Sequence, residues 1–286
     1  MLRSTLTVAA LSAVVTAAAP ADVVTDALVF NYDGDSQTAS AWTSSTPGSD
    51  TSRPWSATGS LTLGASGSTQ TNITTAYDLT GGGFTGAAFN GLGNTASFEV
   101  WLKPDSLTGG KQVVYETGGT SQGFSLTLWN ADLKFEVKTG DTFTAPPAAN
   151  IMTRTLAAGE ITDFIQVVVT VQPGGTTMYV NPVGTANPST AAGTGTASTF
   201  AGGEIAGLGT LGSNLGGGVS SPTTHEWASA QFTAFDGKIG LFRVYDDVLT
   251  GAEVADNFAA IIIPEPSASL ACLGLAGLAL RRRRRP

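Results

Sequence analysis

Residues 235–254 read FDGKIGLFRVYDDVLTGAEV. Asp236-Gly237 is a turn dipeptide, and the run from Lys238 to Tyr245 behind it has the apolar, β-branched and aromatic content of a strand. Thr250 then stands as the N-cap of a short helix, with Glu253 at the third helical position for a capping box. Leu249 is placed to staple onto Val254. Phe258 follows one turn later, where it packs the helix onto a sheet.

The same strand signals recur upstream. Ala27 to Phe30 forms a first strand, closed by Asp33-Gly34-Asp35. Ser97 to Lys103 alternates, with Phe98, Val100 and Leu102 on one face and Glu99, Trp101 and Lys103 on the other. Val113 to Tyr115 is a further strand. Phe124 to Trp129 and Leu133 to Lys138 make a hairpin around Asn130-Ala131-Asp132. Phe164 to Val171 is almost continuously apolar, as a central strand covered on both sides would be, and Pro173-Gly174-Gly175 turns it into Thr177 to Val180. A Ser/Thr/Pro-rich stretch to about residue 60 and the Gly/Ala/Ser/Thr-rich residues 184–222 read as loop. Glu204 to Gly207 is a short strand candidate within the second. With 36 glycines in 286 residues, the composition favours a turn-rich all-β domain.

The two ends read differently. Arg3, the apolar run Leu6 to Ala19 and the small-residue motif Ala19-Pro20-Ala21 have the layout of a secretory signal cleaved after Ala21. At the other end, Pro264-Glu265-Pro266 precedes the apolar run Ala268 to Leu280 and the cationic cluster Arg281, Arg282, Arg283, Arg284 and Arg285. An apolar run stopped by arginines is a stop-transfer signal. Its thirteen residues fall short of the ~20 that a relaxed spanning helix needs, which suits a transient anchor. The division expected is a signal peptide over 1–21, one domain over 22–262 and a sorting segment over 263–286.

Losing both ends leaves 8 basic and 21 acidic residues in place of 14 and 22, so the domain carries about −13 rather than −8. Such a surface argues against nucleic acid or anionic membrane as a partner and permits divalent cations. The single cysteine, Cys272, lies in the tail, so the domain has neither disulfide nor thiol chemistry.

Pro-Glu-Pro, a short apolar helix and a terminal arginine cluster together resemble the PEP-CTERM sorting signal. That resemblance implies a Gram-negative-type bacterium, an exosortase-type processing enzyme as partner, and delivery to the outer surface or an extracellular matrix. The segments "SFEVWLKP" from Ser97, "FSLTLWNADLKFEV" from Phe124, "DFIQVVVTVQPGGTTMYVN" from Asp163 and the opening block resemble the LamG-like, or concanavalin A-like, domains. The resemblance implies a jelly-roll β-sandwich of two antiparallel sheets with a short C-terminal helix. This sequence departs from the family's pattern at Asp163-Phe164 (usually an aromatic-His pair) and at Asn181-Pro182 (usually Asp-Gly). It departs again at Gly240, where the family often has an aspartate that can be associated with metal.

Within such a fold the catalytic options are few. Retaining glycoside hydrolysis needs two carboxylates about 5–5.5 Å apart. Asp33 and Asp35 are the one pair two residues apart, and they sit in a turn. Glu99, Glu116 and Glu136 could converge from different strands, but their spacing gives only a strand face, and solvated outer-face charges are the expectation. His225 is the sole histidine, without a Gly-x-Ser-x-Gly elbow. The expected role is therefore non-catalytic binding of carbohydrate or protein at the cell surface. A glycoside hydrolase or lyase and a passive glycosylated coat protein are the alternatives. Trp42 and Trp55, in polar surroundings, are the candidates for stacking on sugar. Asp33, Asp35 and Asp236 are the candidates for Ca²⁺, if the first and last strands lie side by side; Asp-Gly is also ordinary turn chemistry.

Overall fold

The computed structural model describes residues 22–33, 41–42, 55–87, 95–118, 123–138, 151–172, 175–181, 189–191, 205–211 and 232–262, with Ala41, Trp42, Glu136 and several other strand residues as backbone only. In chain order the strands are β1 (Leu28–Asp33), β2 (Ala41–Trp42), β3 (Trp55–Gly59), β4 (Thr62–Ala65), β5 (Thr75–Asp78), β6 (Gly82–Ala87), β7 (Ala96–Pro104), β8 (Lys111–Gly118) and β9 (Gly123–Trp129). There follow β10 (Asp132–Lys138), β11 (Ile151–Thr155), β12 (Ile165–Gln172), β13 (Gly175–Val180), β14 (Ser189–Ala191), β15 (Ile205–Leu208), β16 (Phe232–Ala234) and β17 (Gly237–Tyr245). A single 3-10 turn (Glu160–Thr162) lies between β11 and β12, and one α-helix, α1 (Gly251–Ile261), follows β17.

The strands form two sheets. The first runs β14-β13-β12-β7-β17-β5-β4, with β1 also paired to β17. The second runs β11-β10-β9-β8-β15-β6-β3-β2, with β16 also paired to β8. The pairings are antiparallel except that of β16 with β8. The architecture is the expected all-β jelly-roll sandwich with a short C-terminal helix. The terminal segments, including Ala21, Pro264, Glu265, Pro266 and the five tail arginines, lie outside the described residues. Among the described residues no helix is long and apolar enough to cross a membrane.

Alternation places the core. Phe98, Val100 and Leu102 of β7, Val167 and Val169 of β12, and Phe242 and Val244 of β17 face inward from the first sheet. Leu126, Leu128, Leu133 and Phe135 meet them from the second. Asn130 and Ala131, both with positive φ, close the β9–β10 hairpin at the expected turn. The β12 run is buried from Ile165 to Val171 because α1 and neighbouring segments cover its outer face as well.

Helix α1 starts as expected. The Thr250 hydroxyl accepts from Glu253 N and the Glu253 carboxylate accepts from Thr250 N, a complete capping box. Val254 packs with Leu249, Tyr245 and Val168. Phe258 stacks on Trp101 with ring centroids 5.5 Å apart. The helix thus roofs the outer face of the first sheet.

Asp163, where the family pattern breaks, has a structural task. Its carboxylate accepts from the backbone N–H groups of Thr69 at 2.9 Å, Gln70 at 3.0 Å and Phe164 at 2.7 Å. Burial pushes this carboxyl up, but the surrounding donors outweigh it and leave the group below the usual carboxylate range. A depressed carboxyl stabilises the fold above its unfolded pKa and loses that contribution as pH falls through the folded value. Asp163→Asn is therefore expected to cost about 1.5–3 kcal/mol near neutral pH. Urea unfolding of the two proteins from pH 7 down should show the gap closing below about pH 4.

Candidate functional site

On the outer face of the first sheet, β17 has two neighbours along one edge. Phe30 to Asp33 of β1 pair with its upper half, with Asp33 opposite Leu241. Tyr77 and Asp78 of β5 pair with its lower half, at Ile239 and Lys238. On the opposite edge, the ladder with β7 shifts register between Ile239 and Leu241. At this junction lies a cleft of about 180 Å³ lined by Asp33, Asn72, Ile73, Thr74, Thr75, Gly240, Leu241, Arg243 and Ile261.

Gly240 is small for a steric reason. A methyl built on it would come within 2.4 Å of Ile73 Cγ2 and 3.3 Å of Phe164 Cε1. Ile73 and Phe164 occupy the space that a side chain would use there. Gly240→Ala is expected to force Ile73 outward, at about 1–3 kcal/mol, as read from a lower urea midpoint at unchanged m-value.

Arg243 anchors the cleft. Only 4% of its side chain is exposed, and its Nη1 lies 3.3 Å from Glu99 Oε2. Nε donates to Asn31 Oδ1 at 2.9 Å, and Asn31 Nδ2 donates in turn to Asp33 Oδ2 at 3.2 Å. No described residue accepts from its second terminal nitrogen. Behind it, the fully buried Glu99 accepts from Trp101 Nε1 at 2.8 Å, Gln166 Nε2 at 2.7 Å, Tyr245 Oη at 3.3 Å and Asn257 Nδ2 at 3.0 Å. Burial, and then the Glu99 carboxylate beside it, push the Tyr245 phenol up, which keeps it a donor. Asn257 Oδ1 also takes the Val24 N–H at 2.8 Å. A continuous hydrogen-bonded path therefore runs from α1 through Glu99 and Arg243 to Asp33 at the cleft.

Several sequence expectations are corrected. Glu99 is not a solvated charge: it points outward from β7 as alternation requires, but α1 covers it. Glu116 is also fully buried. It pairs with Ser125 on the face opposite the Tyr115–Leu126 core pair, on the outer side of the second sheet. Glu99 and Glu116 therefore lie on opposite outer faces of the sandwich and do not converge; the Glu136 side chain is outside the described residues. Trp55 does not offer a face to sugar. It is 1% exposed, set edge-on against Tyr32 and Phe242 at 6.0 Å each. Ser56, next to it in β3, is exposed, while the Trp55 side chain points inward. The Trp42 side chain is outside the described residues.

The expected calcium trio does not assemble from its described members. The first and last strands do lie side by side, but Asp33 meets Leu241 whereas Asp236 precedes Gly237. At ~3.3 Å per residue they are roughly 15 Å apart along β17. Asp236 acts as a turn residue instead. It accepts from Thr80 Oγ1 at 3.1 Å through its carboxylate, and its N–H donates to Gln112 Oε1 at 2.9 Å. It sits with Asp78 near Asp105, whose carboxyl is raised first by burial and then by these two neighbours. Asp35 is outside the described residues, and among the described residues no group of three acidic, His or Cys side chains is arranged to hold a metal ion.

Sequence reasoning missed the cleft, because Asn72, Ile73, Thr74 and Thr75 precede and begin a strand with no clear alternation. It also missed Trp129, half-buried on the outer face of the second sheet with Lys111 Nζ 4.6 Å and Lys134 Nζ 4.9 Å from its ring centroid. Both lysines already engage the ring as cation–π partners.

The profile of the concanavalin A-like lectin/glucanases superfamily matches residues 80–255, more than half of the chain. The chain belongs to this superfamily. Among solved structures, the binding domain of botulinum neurotoxin DC in complex with rat synaptotagmin II aligns with a TM-score of 0.53 at 9% identity, covering 81% of this chain and 51% of the toxin chain. The same toxin domain in complex with SialylT gives 0.53 at 9% identity, over 81% and 50% of the two chains. A structure of botulinum neurotoxin type C, whose cell entry depends on interaction with two ganglioside molecules, gives 0.51 at 12% identity, over 81% and 50%. The superfamily member described here thus spans about half the length of these toxin chains, and the likeness is one of fold. No match was found among curated proteins.

Proposed function

We propose that the chain is an exported, non-catalytic carbohydrate-binding protein of the cell envelope or extracellular matrix, whose C-terminal segment is handled by an exosortase-type enzyme. The observation that carries the binding reading is the cleft at the β1/β5 junction. Its polar wall, Asp33, Asn72, Thr74, Thr75 and Arg243, supplies donors and acceptors beside the apolar side chains of Ile73, Leu241 and Ile261. That mixture suits a sugar ring, with its apolar C–H face and its rim of hydroxyls.

The same residues argue for binding over hydrolysis. The cleft's described lining has one carboxylate, Asp33, where glycoside hydrolysis uses two. Glu99, the nearest second carboxylate in the network, is held by Arg243 and by neutral donors on both oxygens. Toxin binding domains of the same fold, solved with rat synaptotagmin II or with SialylT, support a protein as the other partner class.

The export reading rests on the sequence at the two ends. Intact mass of the secreted protein is expected to show cleavage after Ala21 and loss of the segment beyond the Pro264 region. A cell-retained product with both ends intact would overturn it. For binding, envelope polysaccharide immobilised on beads is expected to retain the protein. Release of new reducing ends from that polysaccharide would instead favour the hydrolase alternative.

A further inference from the structure

Resting on the sorting reading, we infer that α1 holds the processing segment back, and that the exosortase-type enzyme acts on a form in which the last turn of α1 has peeled off the sheet. The helix divides into two halves. The first is fixed from three sides: the Thr250–Glu253 box caps it, Val254 is fully buried, and Asn257, also fully buried, donates to Glu99 and accepts from Val24. The last turn, Phe258 to Ile262, is held more lightly. None of its five residues is fully buried, and it carries no basic residue to offset the helix dipole. Phe258 stacks on Trp101. Beyond that, three contacts form a latch: Asn72 N donates to Ile261 O at 2.6 Å, Asn72 Nδ2 donates to Ala260 O at 3.3 Å, and Thr71 forms a β-bridge with Ile262.

Only Ile263 separates this latch from Pro264-Glu265-Pro266, and the five residues Ile263 to Ser267 separate it from the apolar run that starts at Ala268. Five residues span at most ~18 Å, about the radius of gyration expected of a domain of ~240 residues. A protease takes its substrate as an extended segment, with several residues on each side of the cut. With the latch closed, the bulk of the domain stands on one side of the segment and the bilayer on the other. Opening from Phe258 onward frees five more residues and roughly doubles the reach. It stops short of Asn257, so the Glu99 network and the sandwich stay intact. Local opening of this kind costs less than global unfolding, and cleavage then follows the population of the open form.

The test locks the latch. Thr71 and Ile262 face one another across the bridge, with the Asn72 N to Ile261 O bond beside them. That is a non-hydrogen-bonded antiparallel pair, ~4.5 Å between Cα atoms, within the range a disulfide takes. Thr71→Cys with Ile262→Cys, in a Cys272→Ser background, is expressed as the full chain in the cells that make it. Processing is followed by pulse-chase and intact mass, which also confirms the disulfide. The oxidised protein is expected to be cut at least about 10-fold more slowly than wild type, and dithiothreitol to restore the rate while leaving wild type unaffected. Asn72→Ala removes one latch bond and should be cut about 2–10-fold faster. Hydrogen exchange on the purified full chain in mild detergent gives a readout independent of the enzyme. The Ile262 and Asn72 amides are expected to exchange at least about 10-fold faster than those of β7 and β12. Equal protection, or a disulfide-locked protein cut at the wild-type rate, would overturn the latch and leave the sorting reading standing. A wild-type chain that is never cut would overturn both.

Discussion

Glu99→Ala is expected to cost about 3–5 kcal/mol, the range seen when one partner of a buried ion pair is removed. The carboxylate gathers Arg243, Trp101, Gln166, Tyr245 and Asn257 under α1. Its loss leaves a cation only 4% exposed without its counter-charge. Against a typical total of about 5–15 kcal/mol, that removes a large share of the domain's stability. Glu99→Gln should lose nearly as much, because it keeps the shape but neither the charge nor the acceptor on both atoms. Glu99→Leu combined with Arg243→Met is expected to recover part of the loss, since no buried charge remains. The recovery stays partial, as Trp101, Gln166 and Asn257 still lose an acceptor. Urea unfolding of the four proteins measures all of this. A Glu99→Ala protein within 1 kcal/mol of wild type would mean that the network does not hold the helix.

Trp55→Ala is expected to cost a similar amount, about 3–5 kcal/mol, through the cavity left in the core. The indole lies between the sheets, against Tyr32 and Phe242, with the Tyr115 ring centroid at 6.4 Å. Gly86 leaves room for it: a methyl there would stand 3.2 Å from the indole. The variant separates two roles that the sequence leaves open. A sugar-stacking tryptophan would lose affinity at little cost in stability. A core tryptophan loses stability, and sugar titrations leave its fluorescence unchanged. An unfolding midpoint equal to wild type would contradict the core placement.

The elements that sequence reading places well are those whose pattern and burial agree. In β7 the Phe98/Val100/Leu102 alternation and in β12 the almost continuously apolar run, bounded by the Pro173-Gly174-Gly175 turn signal, each point to a strand. The Thr250–Glu253 box fixes the start of α1 from side-chain chemistry alone. The region from Trp55 to Ala87 is different. Four strands lie there, but they are short and rich in Gly, Thr and Ser, so period-two contrast is nearly absent, and the cleft's Asn72 to Thr75 segment goes unseen with them. Glu99 and Trp55 fail for a second reason. Alternation tells which face of a sheet a residue occupies, not what covers that face. Sequence assigned Glu99 to an outer face correctly and could not show that Asn257 and Phe258 of α1 would seal it. Trp55 was judged by its polar neighbours along the chain, while its environment is set by Tyr32 and Phe242 from the other sheet.

The claim that the chain binds carbohydrate without cleaving it is tested most directly by co-sedimenting the full-length protein with insoluble bacterial envelope polysaccharide and analysing the supernatant by mass spectrometry. Retention in the pellet with no released oligosaccharide is the predicted result. Protein left in the supernatant, or oligosaccharides accumulating with time, would contradict it.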